Sequence, residues 1–257
     1  MKIAISGKGG VGKTTLAAFL CTWFADQGRT VLAIDADPAA NLGAALAIPG
    51  ADSIPPITEM KSLITERTGA KAGSIGGFFK LNPKVDDLPE KIALSHGNIR
   101  LVVMGGVKEG GTGCVCPENA LLKSLVAHLM LGRGDVVVMD MAAGIEHLGR
   151  GTAQAVDRLM IVVEPGRRSI DVARRIRSLA GDIGLKNLAF VGNKVRGAED
   201  RDFLQQALAG FQCIGFIPYD PKIIEADLKG EFAADTSAQT RAALEEIANN
   251  LTPGDMH

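Results

Sequence analysis

Eight consecutive residues, Gly7-Lys8-Gly9-Gly10-Val11-Gly12-Lys13-Thr14, carry the clearest chemistry in the chain. Their GxxxxGK[ST] spacing falls between an apolar run and a segment of helical period, the setting of a phosphate-binding loop. In such a loop the backbone N–H groups of Gly9, Gly10, Val11 and Gly12 converge on the β- and γ-phosphates of a nucleotide. The helix N-terminus at Lys13, Thr14 and Thr15 adds positive potential. Lys13 supplies a point charge to the same oxygens, and the Thr14 hydroxyl is placed to ligand Mg2+. Lys8 would crowd Lys13 on one nucleotide, so it either stands in solvent or reaches the phosphates of a facing subunit.

Two acidic strand ends belong with this loop. Asp35-Ala36-Asp37-Pro38 closes one apolar run, and a carboxylate there can orient an attacking water or hold Mg2+ through a water. Val136-Val137-Val138-Met139-Asp140 closes another with the same options, and Gly144 beyond it can offer its N–H to a γ-phosphate. An aspartate that only caps the following loop is the alternative for a lone strand-end acid.

Cys114-Val115-Cys116 is the remaining reactive pair. In an extended segment residues i and i+2 project to one side, so both sulfurs face one point. Two thiolates do not complete a tetrahedral metal site, but a two-fold dimer doubles them to four. Such a site suits Zn2+, Ni2+ or Cu+; a redox thiol pair or two small buried side chains are the other readings. Cys21 and Cys213 read as core residues, while His96, His128 and His147 lack companions at ligand spacing.

Short runs apolar on both faces must position these groups: Ile3–Ser6, Val31–Ile34, Ile99–Met104, Val136–Met139, Leu159–Val163, Leu188–Val191 and Ile214–Ile217. Helical periods lie between them, over Thr14–Gln27, Ser169–Asp182 and Thr236–Asn250, the last with Thr236 as N-cap. The alternation predicts an α/β fold, a doubly wound, mostly parallel sheet flanked by helices on both faces. Residues 1–257 read as a single domain with a loop-rich insertion at about 49–97, and Leu251–His257 as a frayed end.

Composition narrows the classes. With 28 basic and 29 acidic side chains the net charge is −1, which gives no bulk attraction to nucleic acid or anionic membrane. One Trp and one Tyr offer few stacking faces for single strands. Neither a membrane-spanning run nor a signal peptide is legible, and a cytoplasmic location is expected.

With Lys8 in place, KGGVGKTT resembles the deviant Walker A motif of the dimerising ATPases that include MinD, ParA and the nitrogenase iron protein. The likeness runs from Lys2 to about Asp220 and implies ATP/ADP and Mg2+ as ligands, in a homodimer that sandwiches nucleotide. It also implies Lys8, Lys13 and Asp37 as catalytic residues, with Lys8 acting across the interface. Asp35 to Asn41 resembles the family's first switch, DxDPxxN, implying that Asp37 positions the water while Asp35 supports the loop. Asp140 to Gly144 resembles its DTxxG, with Met141 in place of the usual Thr; the lost hydroxyl implies that Asp140 meets Mg2+ through a water. Guanine readers of the superfamily carry NKxD, whereas Asn193-Lys194-Val195-Arg196 has Arg in the last place, which favours ATP. By resemblance Asn193 bonds the adenine edge, Lys194 beside it belongs to the nucleotide site, and Ile217, Pro218, Tyr219 and Asp220 form the far wall.

The CxC pair, the stretch Asp140–Ala153 and Val162–Ile170 together resemble the CooC-type ATPases that mature carbon monoxide dehydrogenase by inserting nickel. That resemblance implies nickel or zinc held by Cys114 and Cys116, apo carbon monoxide dehydrogenase as client, and no nucleic-acid or membrane partner. Arg167, Arg168, Arg174, Arg175 and Arg177 keep open a spatial organiser of the MinD or ParA kind, which binds DNA, membrane or a protein. An iron–sulfur reductase on the same cysteines is a further alternative.

Overall fold

The computed structural model describes residues 1–70, 78–105, 117–131, 136–145, 147–229 and 236–251. The chain opens with β1 (Lys2–Gly7), α1 (Lys13–Asp26), β2 (Val31–Ala36) and the short α2 (Leu42–Ala45). Two 3-10 turns, Ala51–Ser53 and Ile57–Glu59, lead to α3 (Lys61–Thr68), α4 (Leu88–Ile92), β3 (Leu94–His96) and β4 (Ile99–Val103). Then come α5 (Pro117–Leu131), β5 (Val136–Met141), α6 (Arg150–Ala153), β6 (Arg158–Val163) and α7 (Arg167–Asp182). The remainder is β7 (Leu188–Val195), α8 (Ala198–Ala207), β8 (Gln212–Pro218), α9 (Pro221–Lys229) and α10 (Ala238–Leu251).

All described strands join one eight-stranded sheet in the order β3-β4-β2-β5-β1-β6-β7-β8, as the doubly apolar runs require. Successive residues along a strand feed opposite faces. Ile3, Ile5, Val136 and Val138 pack with Leu16, Leu20, Phe24, Leu244 and Ile247 from α1 and α10. Ala4, Val137, Met139, Ile161 and Val163 pack on the other face with α5, α7 and α8 through Leu121, Leu125, Ile170, Ala173 and Leu204. Each buried Leu, Ile or Phe contributes about 1.5–3 kcal/mol, so the two faces together fix the sheet between its helices. Helix α1 stops at Gly28, whose φ of 74° lets its N–H reach Ala25 O at 2.9 Å.

Three local features differ from expectation. Strand β3 lies in the segment read as loops and short helices and pairs antiparallel with β4. Three residues are too few to display a period. Helix α7 begins at Arg167 rather than Ser169. Helix α10 is capped by Ser237 rather than Thr236: the Ser237 Oγ accepts the Thr240 N–H at 3.3 Å. None of the helices among the described residues is long and apolar enough to cross a membrane.

What matters for chemistry is the carboxyl edge. Strand β1 lies between β5 and β6, the point where the chain winds away in both directions, and a ligand crevice forms at such a switch point. The loop after β1 and the ends of β2, β5, β6, β7 and β8 all open there.

Candidate functional site

The phosphate loop is braced from two strands. Gly7 crosses β6 so closely that a Cβ would lie 2.3 Å from Val162 O, and Gly12, at φ 94°, would place one 2.2 Å from Asn193 Nδ2. Glycine is the residue that permits both. Asn193 Nδ2 donates to Val11 O at 2.7 Å, and its Oδ1 accepts the Lys194 N–H at 2.8 Å. The amide expected at the adenine edge lines the cleft and also holds the loop. Lys194, in the left-handed region at φ 58°, brings its Nζ to Gly10 O at 2.6 Å. The Lys13 side chain is buried, with Nζ 3.4 Å from Lys8 O. Helix α1 starts at Lys13 with no acid in its first turn, which leaves its N–H groups and positive end to an anion.

The two strand-end aspartates are neighbours in the sheet, because Asp35 pairs with Asp140 in the β2–β5 register. Asp35 is fully buried, and burial pushes its carboxyl up to about 6. Its oxygens accept the Asp37 N–H at 3.2 Å and the Leu42 N–H at 2.8 Å, so it shapes the turn that presents Asp37. Asp140 is pushed up to about 7, by burial first and by the charge of Asp35 beside it. Its Oδ2 accepts the Thr14 hydroxyl at 2.6 Å, while the buried Oδ1 has no partner among the described residues. A buried, unpartnered carboxylate oxygen next to a threonine hydroxyl is a hard-oxygen set that fits Mg2+. Half-buried Asp37 lines the cleft and accepts the Ala39 N–H at 2.9 Å.

The turn after β5 is fixed from β1. Ser6 Oγ donates to Gly144 O at 2.8 Å, and the Gly144 N–H, expected to meet a phosphate, donates to Ala142 O at 2.7 Å. Met141, where the family pattern has Thr, is buried in the core.

Glu164, just past the apolar run of β6, is a site residue that the motif reading missed. Its Oε1 accepts Lys8 Nζ at 2.9 Å and its Oε2 accepts Lys194 Nζ at 3.3 Å. Partial burial opposes its ionisation, yet the two lysines hold its carboxyl below the usual range. The signal was present: an acid at a strand end, as at Asp35 and Asp140.

The loop opens into a cleft of about 500 Å3, within the range of small-ligand pockets. Pro218 and Tyr219 form its far wall with Ile223, Ile224 and Leu244. Arg196 lies over the Tyr219 ring, 5.2 Å from the centroid. Asp220 lines the cleft but commits its carboxylate to the fold. Its Oδ2 accepts the Ser237 N–H and the Thr240 hydroxyl, each at 2.8 Å. Burial raises that carboxyl, but these bonds outweigh it and bring it down to about 2.

Cys114 and Cys116 lie outside the described residues, immediately before α5. Among the described residues no group of three or more His, Cys, Asp or Glu is gathered to hold a metal. Cys21 is buried and its thiol is pushed up by burial, so it is an inert core residue, while Cys213 is half-buried. The arginines of α7 are exposed, but Arg174 Nη2 donates to Ala207 O at 2.9 Å and Arg177 stacks on Phe211 at 4.5 Å.

Comparison with known proteins agrees with this geometry. Residues 2–233 match the CobQ/CobB/MinD/ParA nucleotide binding domain. The chain is 45% identical over 254 residues to an uncharacterized ATP-binding protein, MJ0823, of Methanocaldococcus jannaschii, covering 98% of this chain and 97% of that one. It is 45% identical over 243 residues to the carbon monoxide dehydrogenase accessory protein CooC of Rhodospirillum rubrum, covering 94% and 92%. The cell division protein MinD of Aquifex aeolicus shares the fold at a TM-score of 0.67 and 22% identity, covering 100% of this chain and 98% of that one.

Proposed function

The chain belongs to the CobQ/CobB/MinD/ParA family of nucleotide-binding domains and is an ATPase; from that premise we propose that it is a dimerising metallochaperone that inserts nickel into apo carbon monoxide dehydrogenase. The observation that carries the ATPase half is the Thr14–Asp140 pair with its unpartnered carboxylate oxygen beneath the phosphate loop. The 45% identity to CooC across nearly the whole length of both chains supports the client.

In this reading the loop N–H groups and Lys13 bind the β- and γ-phosphates of ATP and draw off charge as the terminal bond breaks. Thr14 would hold Mg2+ directly, with Asp140 and Asp37 facing it through waters; the ion, when bound, neutralises phosphate charge. Asp37 orients the attacking water, and Asp35 keeps Asp37 in place through the bonds to its turn. Pro218 and Tyr219 enclose the base, while Asn193 and Lys194 brace the loop. Lys8 reaches the nucleotide of a second subunit. Cys114 and Cys116 from both subunits hold the nickel or zinc cargo, and hydrolysis reopens the pair in the cytoplasm for delivery.

The test is transfer. Nickel-loaded protein with ATP is expected to activate apo carbon monoxide dehydrogenase, and Asp37→Ala is expected to stall after one round. Activation that is independent of nucleotide would refute the coupling. A MinD-like organiser is the second reading, favoured by the exposed arginines of α7. It predicts salt-sensitive, ATP-dependent retention on DNA or anionic vesicles.

A further inference from the structure

We propose that Glu164 is a latch that keeps Lys8 on its own subunit until ATP closes the dimer, an inference that rests on Lys8 acting across the interface. The Lys8–Glu164 pair spans 2.9 Å with side chains 35% and 24% exposed, shielded enough to form and open enough to exchange. A lysine tied to a carboxylate in its own subunit is neutralised as a phosphate ligand for another.

The latch is connected to the nucleotide site at two points and anchored to α7 at a third. Glu164 is held through its second oxygen by Lys194, whose Nζ also bonds Gly10 O in the phosphate loop. Lys13, the residue that takes the phosphates, donates to the backbone oxygen of Lys8 itself. The Glu164 N–H donates to Ser169 Oγ in the first turn of α7, which fixes the carboxylate at the β6–α7 join. When phosphates draw Lys13 and the Gly10 backbone toward them, the tie of Lys13 on Lys8 O and the hold of Lys194 on Glu164 weaken together. Exchanging Glu164 for a phosphate on the facing subunit then favours the closed dimer, as a shift between two existing states.

A partly exposed ion pair of this kind biases an equilibrium by about twofold to fivefold. A two-fold dimer opens two latches, so the effect squares, to about 4-fold to 25-fold in the dimer dissociation constant.

The experiment uses the full chain with Mg2+ and a non-hydrolysable ATP analogue, with dimerisation followed by sedimentation velocity and analogue binding measured separately below the dimer range. Glu164→Gln is expected to tighten the dimer within that range while analogue affinity changes less than about twofold. Lys194→Gln, which removes the loop brace and leaves the Lys8 pair, is expected to weaken analogue binding without tightening the dimer. An unchanged or weaker dimer in Glu164→Gln overturns the latch, as does equal tightening in Lys194→Gln. Lys8→Ala separates the two claims. If it abolishes the dimer while Glu164→Gln has no effect, the across-interface reading survives and the latch falls. If Lys8→Ala dimerises like wild type, the underlying reading fails and the latch with it.

Discussion

Replacing Asp140 by Asn should stabilise the nucleotide-free protein while destroying its function. The carboxyl ordinarily titrates at 3.8 and is pushed up to about 7 in the fold, chiefly by burial. Between those values the unfolded chain gives up a proton that the folded chain keeps, so raising pH through this window favours unfolding. The gap corresponds to about 4 kcal/mol at pH 8, at about 1.4 kcal/mol per pH unit. Asn removes that loss but puts an amide N–H where Oδ1 has no partner, which costs about 1–3 kcal/mol. The net gain at pH 8 is about 1–3 kcal/mol, or a rise in Tm of roughly 2 to 10 °C for a chain of this size. The advantage should shrink toward pH 5, where Asp140 is protonated in the fold; Asp35, pushed up to about 6, leaves a shallower slope in the variant. Asp220, held down near 2, completes its contribution below about pH 5 and does not distort the window. Thermal melts of both proteins in EDTA from pH 5 to 8 provide the assay, repeated with Mg-ATP, which should stabilise only wild type. A variant that melts below wild type at pH 8, or whose advantage does not grow with pH, would refute the reasoning.

Other substitutions probe separate parts of the site. Asp37→Ala should bind ATP nearly as wild type while turnover falls by about 10² or more, measured as phosphate release. Gly12→Ala should abolish ATP binding in calorimetry, because its Cβ would meet Asn193 Nδ2 at 2.2 Å on a backbone at φ 94°. Tyr219→Ala removes one wall of the cleft and the partner of Arg196, and should raise the Kd for ATP by about threefold to tenfold.

The parts legible in sequence were those governed by local pattern. Apolar runs such as Val136–Met139 reported a sheet covered on both faces, and the glycine-lysine loop reported its own position between strand and helix. The short β3 was not legible, since its pairing with β4 depends on tertiary contact rather than period. Polar commitments were harder still. That Asn193 bonds the loop depends on how closely the end of β7 approaches it across β6, and the bond to Val11 O joins residues 182 apart in the chain. Asp220 lines the cleft as its segment suggests, but its bonds to Ser237 and Thr240 at the start of α10 are not announced by that segment. Glu164 carried a readable signal and lay within the quoted stretch Val162–Ile170, but that stretch gave it no role.

The central claim is that ATP and a thiolate-held metal act on one dimer, and it is tested most directly by metal content and oligomeric state on the same reduced sample. Wild type is compared with Cys114→Ala/Cys116→Ala, with and without ATP. One Ni2+ or Zn2+ per dimer is expected, lost in the double variant while ATP binding survives. Metal content unchanged in the double variant would contradict it.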